Sequence, residues 1–184
     1  VNPGELQRSV PHAIEAEQSV LGGLLLDNNG IDRIGDLRAT DFYRGDHRTI
    51  FDAAVSLIAA GVAVDALTLF DHLDRKGIAD QVGGLGYLNA LAQNTPSAAN
   101  IAWYSAIVRD RAQKRALLTL AADVEAAVLA HHGDDAATLI DGAAARIEAL
   151  ADGRTRREPQ RVSDGLQNHL DALERRAYGT EPVL

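Results

Sequence analysis

The chain has 184 residues, of which 46% are hydrophobic but only 4% aromatic, a balance that favours alanine- and leucine-rich helices over a sheet. A formal charge of −8 opposes wholesale binding to a phosphate backbone, and the absence of cysteine excludes disulfides and thiolate metal sites. No apolar run reaches the roughly 18–20 residues of a membrane span and no signal-peptide pattern opens the chain, so a cytoplasmic protein with no membrane partner is expected.

Residues 1–10 read as a disordered extension. After Pro11, the spacing of Ala13, Ala16, Val20 and Leu24 predicts a helix, with Glu15 and Glu17 placed to interact with its N-terminal dipole. Gly22–Gly23 within this run weakens the helix by about 1 kcal/mol per glycine relative to alanine. The pair reads as a point of close helix–helix contact. Asn28–Asn29–Gly30 reads as a turn, followed by a short helix through Ile31, Ile34 and Leu37.

Phe42 and Tyr43 are expected to plug the core from a loop, and Asp46 to cap the next helix. That helix places His47, Ile50, Phe51, Ala54 and Ile58 on one face and stops at Gly61. His47 beside Asp46 reads as structural rather than catalytic. Thr68 and Asp71 fit a capping box for a following helix that buries Leu69, Phe70 and Leu73 and ends at Gly77. Gly83–Gly84 then introduces a short helix carrying Leu85, Leu88 and Leu91.

Thr95 and Pro96 fit the N-cap and first position of a long helix. Neither glycine nor proline interrupts residues 97–132, which implies a rod of roughly 50 Å. Ile101, Tyr104 and Val108 root it in the head, and Leu118, Ala121, Val124 and Val128 carry an apolar stripe onward. Gly133 ends it, and a second helix aligns Leu139, Ala143, Ile147 and Leu150 up to Asp152–Gly153.

These segments read as an αα-hairpin, which buries too little surface to be held alone against the entropy of ordering it. A second copy of the chain is the economical partner. After a basic linker, Leu166, Leu170 and Leu173 form the stripe of a helix that is expected to dock elsewhere. The fold class is therefore all-α: a small helical bundle (11–97), a long αα-hairpin (98–152), then a linker and docking helix (153–184). The chain lacks methionine even at residue 1 and ends on an apolar pair without a capping signal, so a piece of a longer protein is expected.

Chemistry is sparse. The P-loop pattern G-x-x-x-x-G-K-[ST] is absent, and GGLGYL lacks the spacing of a dinucleotide loop. His131–His132 with Asp134–Asp135 reads as a solvated helix end rather than a metal site, since adjacent helical residues diverge. Arg109, Arg111, Lys114 and Arg115 read first as a solvated face or an ion-pair network, and alternatively as a nucleic-acid contact. On the residues alone, the chain is an oligomerisation or adaptor module without catalytic residues, bound cofactor or metal.

Three stretches then point to a family. PHAIEAEQSVLGGLLLD (11–27), DFYRGDHRTIF (41–51) and VGGLGYLNALAQNTPSAANI (82–101) resemble the N-terminal region of bacterial replicative DNA helicases of the DnaB type, and the likeness continues through YSAIVRDRAQKR. The resemblance implies a collar above ATP-hydrolysing motor domains, assembled as dimers, a trimer of dimers and a hexameric ring in the bacterial replisome. It implies docking of the primase C-terminal domain, with Tyr87, Tyr104, Arg109 and Arg111 as the expected docking residues, and a helicase loader as a further partner. ATP, Mg2+ and single-stranded DNA belong to the motor domain, whose residues have no counterpart in this chain. The competing expectation is a stand-alone helical adaptor or regulator that binds nucleic acid through the basic patch.

Overall fold

The structure, a computed structural model, describes residues 10–130 and 135–155, with side chains to Ala151. Every regular element among them is helical, and none of the described helices is long and apolar enough to cross a membrane. The helices are α1 (Ile14–Leu26), α2 (Gly45–Ala59), α3 (Ala66–Arg75), α4 (Gly84–Asn94), α5 (Ile101–Leu129) and α6 (Ala136–Thr155). They form two units that divide between Asp135 and Ala136.

Helix α1 is the axis of the first unit and packs on α2, α4 and α5. It buries Ala16, Glu17, Val20, Leu21, Leu24 and Leu25 together with both glycines, so it is enclosed on most sides. The glycines make this possible. A Cβ on Gly22 would lie within 3.0 Å of Thr95 Oγ1 and of the Leu91 carbonyl, and one on Gly23 would press on Ile101 at 3.2 Å. Gly22 thus admits the end of α4, and Gly23 the start of α5. This is the close approach expected of the pair.

Helix ends are closed by specific chemistry. After α2, Gly61 (φ 74°) donates to Ile58 O at 2.9 Å and Val62 to Leu57 O at 3.0 Å, the two bonds of a Schellman turn. Gly77 (φ 69°) repeats the arrangement after α3. Asn28 joins the end of α1 to the loop before α3: its amide donates to Leu24 O and Val64 O and accepts from Val64 N, each at 2.7 Å.

Several local expectations are corrected. Asn28–Arg33 is itself a short 3-10 helix, and the chain does not resume a helix through Ile34 and Leu37, although both are buried. Phe42 is fully buried against Phe51, but Tyr43 is 41% exposed, because successive side chains of an extended segment point apart. Asp46 lies inside α2 rather than at its cap. The capping box of α3 is Asp65 with Thr68, three residues earlier than expected: Asp65 Oδ1 accepts from Thr68 N at 2.8 Å, and Thr68 Oγ1 accepts from Asp65 N at 2.8 Å. Thr95 ends α4 instead of starting α5, and its hydroxyl donates to Leu91 O at 2.7 Å. Ser97 caps the 3-10 turn that leads into α5.

The core also reaches further than residue 97. Ile101, Ser105 and Val108 are fully buried, so the first two turns of α5 belong to the head. Beyond Val108 the one buried residue of α5 is Leu120. The second unit is α6, whose helix continues through Thr155, three residues past the expected stop at Asp152. The linker helix with Leu166, Leu170 and Leu173, and the His131–His132 pair, lie outside the described residues.

Candidate functional site

The polar centre of the head is a buried chain of three side chains from three helices. Glu17 on α1 is 1% exposed and His47 on α2 is 0% exposed. One Glu17 carboxylate oxygen accepts from Tyr43 N at 2.6 Å, and the other meets His47 Nδ1 at 2.7 Å and Arg44 N at 3.4 Å. The contact fits the His47 tautomer in which Nδ1 donates to the carboxylate. His47 Nε2 meets the Tyr87 hydroxyl of α4 at 2.6 Å, and Gln18 donates to that hydroxyl at 3.2 Å. Arg44 lies over the Tyr87 ring at 5.7 Å. The network pins the 42–44 segment and the start of α2 to α1 and α4.

Glu17 was legible as a dipole partner but not as a buried acid. The spacing carried that signal, because Glu17 lies three, four and seven residues before the core residues Val20, Leu21 and Leu24. Tyr87 is half-buried and also lines a cavity of about 240 Å³ between α1 and α4, with Glu15, Gln18, Asn94 and Pro96. Tyr104 is half-buried against the core. Neither tyrosine is the exposed side chain expected of a docking residue.

The basic patch is mostly neutralised. Arg109 pairs with Asp36, while Arg111 and Lys114 converge on Asp110 at 2.5 and 2.7 Å. These contacts hold the Asp110 carboxyl below its usual range, with the Lys114 hydrogen bond as the largest cause. Arg115 donates to Pro11 O at 2.9 Å and to Asp41 O, and lies 5.7 Å from the Tyr43 ring centre. It ties α5 to the start of the described chain and to the 41–43 segment. Burial raises the Asp41 carboxyl above its usual range, against the opposing hydrogen bond from Arg38 N.

The outer part of α5 has the opposite character. Leu117, Leu118, Val128 and Leu129 are 49%, 55%, 58% and 64% exposed, Ala121 is exposed and Val124 is half-buried. On α6, Ile140 and Ile147 are 66% and 53% exposed, while Leu139, Ala143 and Leu150 are half-buried. Among the described residues no group of carboxylates and histidines could hold a metal ion.

The DnaB-like helicase N-terminal domain family matches residues 9–110. The chain is 39% identical over 167 residues to the replicative DNA helicase DnaB of Pasteurella multocida, covering 89% of this chain and 36% of that protein. The chain belongs to this family. The replicative DNA helicase DnaB of Mycobacterium leprae is 37% identical over 169 residues, covering 91% of this chain and 28% of that protein. The chain therefore spans about a third of the length of the curated relatives it matches.

The solved N-terminal domain of DnaB helicase from Mycobacterium tuberculosis superposes with a TM-score of 0.68 at 36% identity, covering 76% of this chain and 99% of that one. A DnaB-like replicative helicase described with its primase interactions gives a TM-score of 0.61 at 23% identity, over 85% of this chain and 34% of that one. As a DnaB-type N-terminal domain, the chain is all-α, as its composition implies. The match ends at Arg109–Asp110, where the packed part of α5 gives way to its exposed part.

Proposed function

We propose that the chain is the N-terminal collar of a replicative DNA helicase, which joins copies into a ring and receives primase. The observation that supports the reading is the row of exposed leucines and valines on the outer part of α5, which continues from a head with a closed apolar core. Leu118, Ala121, Val124 and Val128 of α5 are assigned to assembly, and so, on their own helix, are Leu139, Ala143, Ile147 and Leu150 of α6. Copies that bury such residues gain roughly 25 cal/mol for each Å² of apolar surface removed from water. In this reading the parent protein is an ATP-dependent DNA helicase. Its ATP, Mg2+ and single-stranded DNA sites lie in a motor domain, the linker helix docks on a neighbour, and a loader and the bacterial cytoplasm are its further context.

Primase docking is assigned to the head around the α1–α4 cavity, with Tyr87 on its wall, and separately to Tyr104, Arg109 and Arg111 on α5. Multi-angle light scattering over a concentration series tests assembly, with dimers or larger species expected; a strict monomer at high micromolar concentration removes the collar reading. Calorimetry with the C-terminal domain of a cognate primase tests docking separately. The assembled chain is expected to bind it, and absence of heat at saturating concentrations removes the primase assignment while leaving assembly intact.

A further inference from the structure

Two guanidinium groups of the head converge on three consecutive carbonyls. Arg48 donates to Phe42 O at 2.7 Å and Tyr43 O at 3.3 Å, and Arg115 donates to Asp41 O and to Pro11 O. Neutral acceptors thus bring two like charges side by side. Neither arginine forms an ion pair among the described residues. The acids around them are engaged: Glu17 by His47 and Tyr43 N, Asp46 by Arg44, and Asp41 by Arg38 N. Burial and the charge of Arg48 hold the Arg115 guanidinium below its usual range, although Glu17 and Asp41 act in the opposite sense. A guanidinium has five N–H donors, so with two used on carbonyls each retains three.

Beside these cations lies Tyr43, 41% exposed, with the exposed His12 stacked on it at 4.9 Å and 21°. We propose that His12, Tyr43, Arg48 and Arg115 form a docking surface for an acidic segment of a partner protein, whose carboxylates bridge Arg48 and Arg115. Charge complementarity selects this occupant. Paired guanidiniums match the geometry of carboxylates, and a bridging anion relieves the repulsion between them. A nucleic-acid strand fits less well, since it needs a track of cations with free aromatic faces, whereas Tyr43 already stacks with His12 and faces Arg115. The surface is independent of the assembly stripe and of the Tyr87 cavity.

Fluorescence anisotropy of a labelled peptide of alternating aspartate and glutamate, at low salt, tests the proposal on the full chain, with a labelled oligo-dT strand in parallel. The peptide is expected to bind, to release as salt rises, and to bind about tenfold more weakly to Arg48→Gln, which loses one charged donor set. Arg48→Gln also gives up hydrogen bonds to Phe42 O and Tyr43 O, so its circular dichroism and melting are recorded and binding is compared at a temperature where both proteins are folded. Lys76→Gln at the C-terminal end of α3 serves as the unaffected control. A peptide that does not bind overturns the proposal, as does binding that Arg48→Gln leaves unchanged. Binding of oligo-dT that is tighter than that of the peptide and sensitive to Arg48→Gln also overturns it, and gives the surface to nucleic acid.

Discussion

The head and the outer part of α5 use the same kinds of residue and bury them to opposite extents. Leu21, Leu24, Leu69, Leu73 and Leu88 are at most 1% exposed, whereas Leu117, Leu118 and Leu129 are 49–64% exposed. The difference lies in what surrounds each leucine, not in the leucine itself. In the head, glycines admit neighbouring helices, Schellman turns close α2 and α3, a capping box opens α3, and a buried acid fixes the loop that supplies Phe42. On the outer part of α5, Leu120 alone is buried, and the other leucines and valines keep much of their surface exposed or half-exposed. One region encloses its apolar residues, and the other leaves them accessible, as the proposed assembly role requires.

Variants that damage the head sharpen that contrast most. Gly22→Val is expected to remove at least about 4 kcal/mol, the range reserved for overpacking that the backbone must absorb. Its first Cβ already collides with the Leu91 carbonyl, which cannot swing away as a flexible side chain can. Chemical denaturation should show loss of the cooperative transition. A stable Gly22→Val protein would mean that α4 can slide along α1, and the head would be less specified than its contacts imply. Glu17→Ala comes next, at about 3 kcal/mol, because it strands Tyr43 N and the His47 ring in a dry site. Thermal melting of this variant should fall well below that of the parent.

Much of the head is legible in the sequence. Helical spacing finds α1 to α5, and Gly22–Gly23, Gly61 and Gly77 each announce their roles, because a glycine in an apolar run or just past a helix has few other uses. The caps at Thr68 and Thr95 are misplaced because Asp65 and Ser97 stand close by and local propensity cannot choose among them, whereas α2 starts after Arg44 with no side-chain cap at all, which leaves Asp46 inside the helix. At Thr95 the tertiary contact decides, since the hydroxyl bonds backward to Leu91 beneath Gly22. The Glu17–His47–Tyr87 network joins residues 30 and 40 positions apart, and no local pattern links them. The outer α5 stripe is legible as apolar, but its partner is not written within the helix.

Electrostatics give a smaller effect with a defined sign. Its hydrogen bond to Arg44 holds the Asp46 carboxyl below the usual carboxylate range, against partial burial. A depressed carboxyl contributes stability that is complete above its unfolded pKa and is lost as pH falls through the lower folded value. Asp46→Asn should therefore be less stable than the parent at neutral pH, by less than either variant above, and should converge with it in acid. Urea denaturation across pH reads this directly. A gap that stays constant down to acid pH would assign the loss to packing instead of charge.

The smallest effect on folding is expected where the effect on assembly is largest. Val128 is 58% exposed on the outer part of α5, with Leu129 beside it at 64%. Val128→Asp deletes no contact in the head, so the melting of the head should stay within about 0.5 kcal/mol of the parent, as for a surface substitution. In an assembled protein the same aspartate enters an apolar contact, where an unpaired carboxylate loses its hydration without a compensating partner. Sedimentation velocity should then show the oligomer dissociate while circular dichroism stays unchanged. If Val128→Asp leaves the oligomer intact, assembly runs through the head, and the division between a self-sufficient region and a contact-dependent one is drawn in the wrong place. If it unfolds the head, the two regions are one cooperative unit. Retained fold with lost assembly is the outcome that the unequal burial of identical side chains requires.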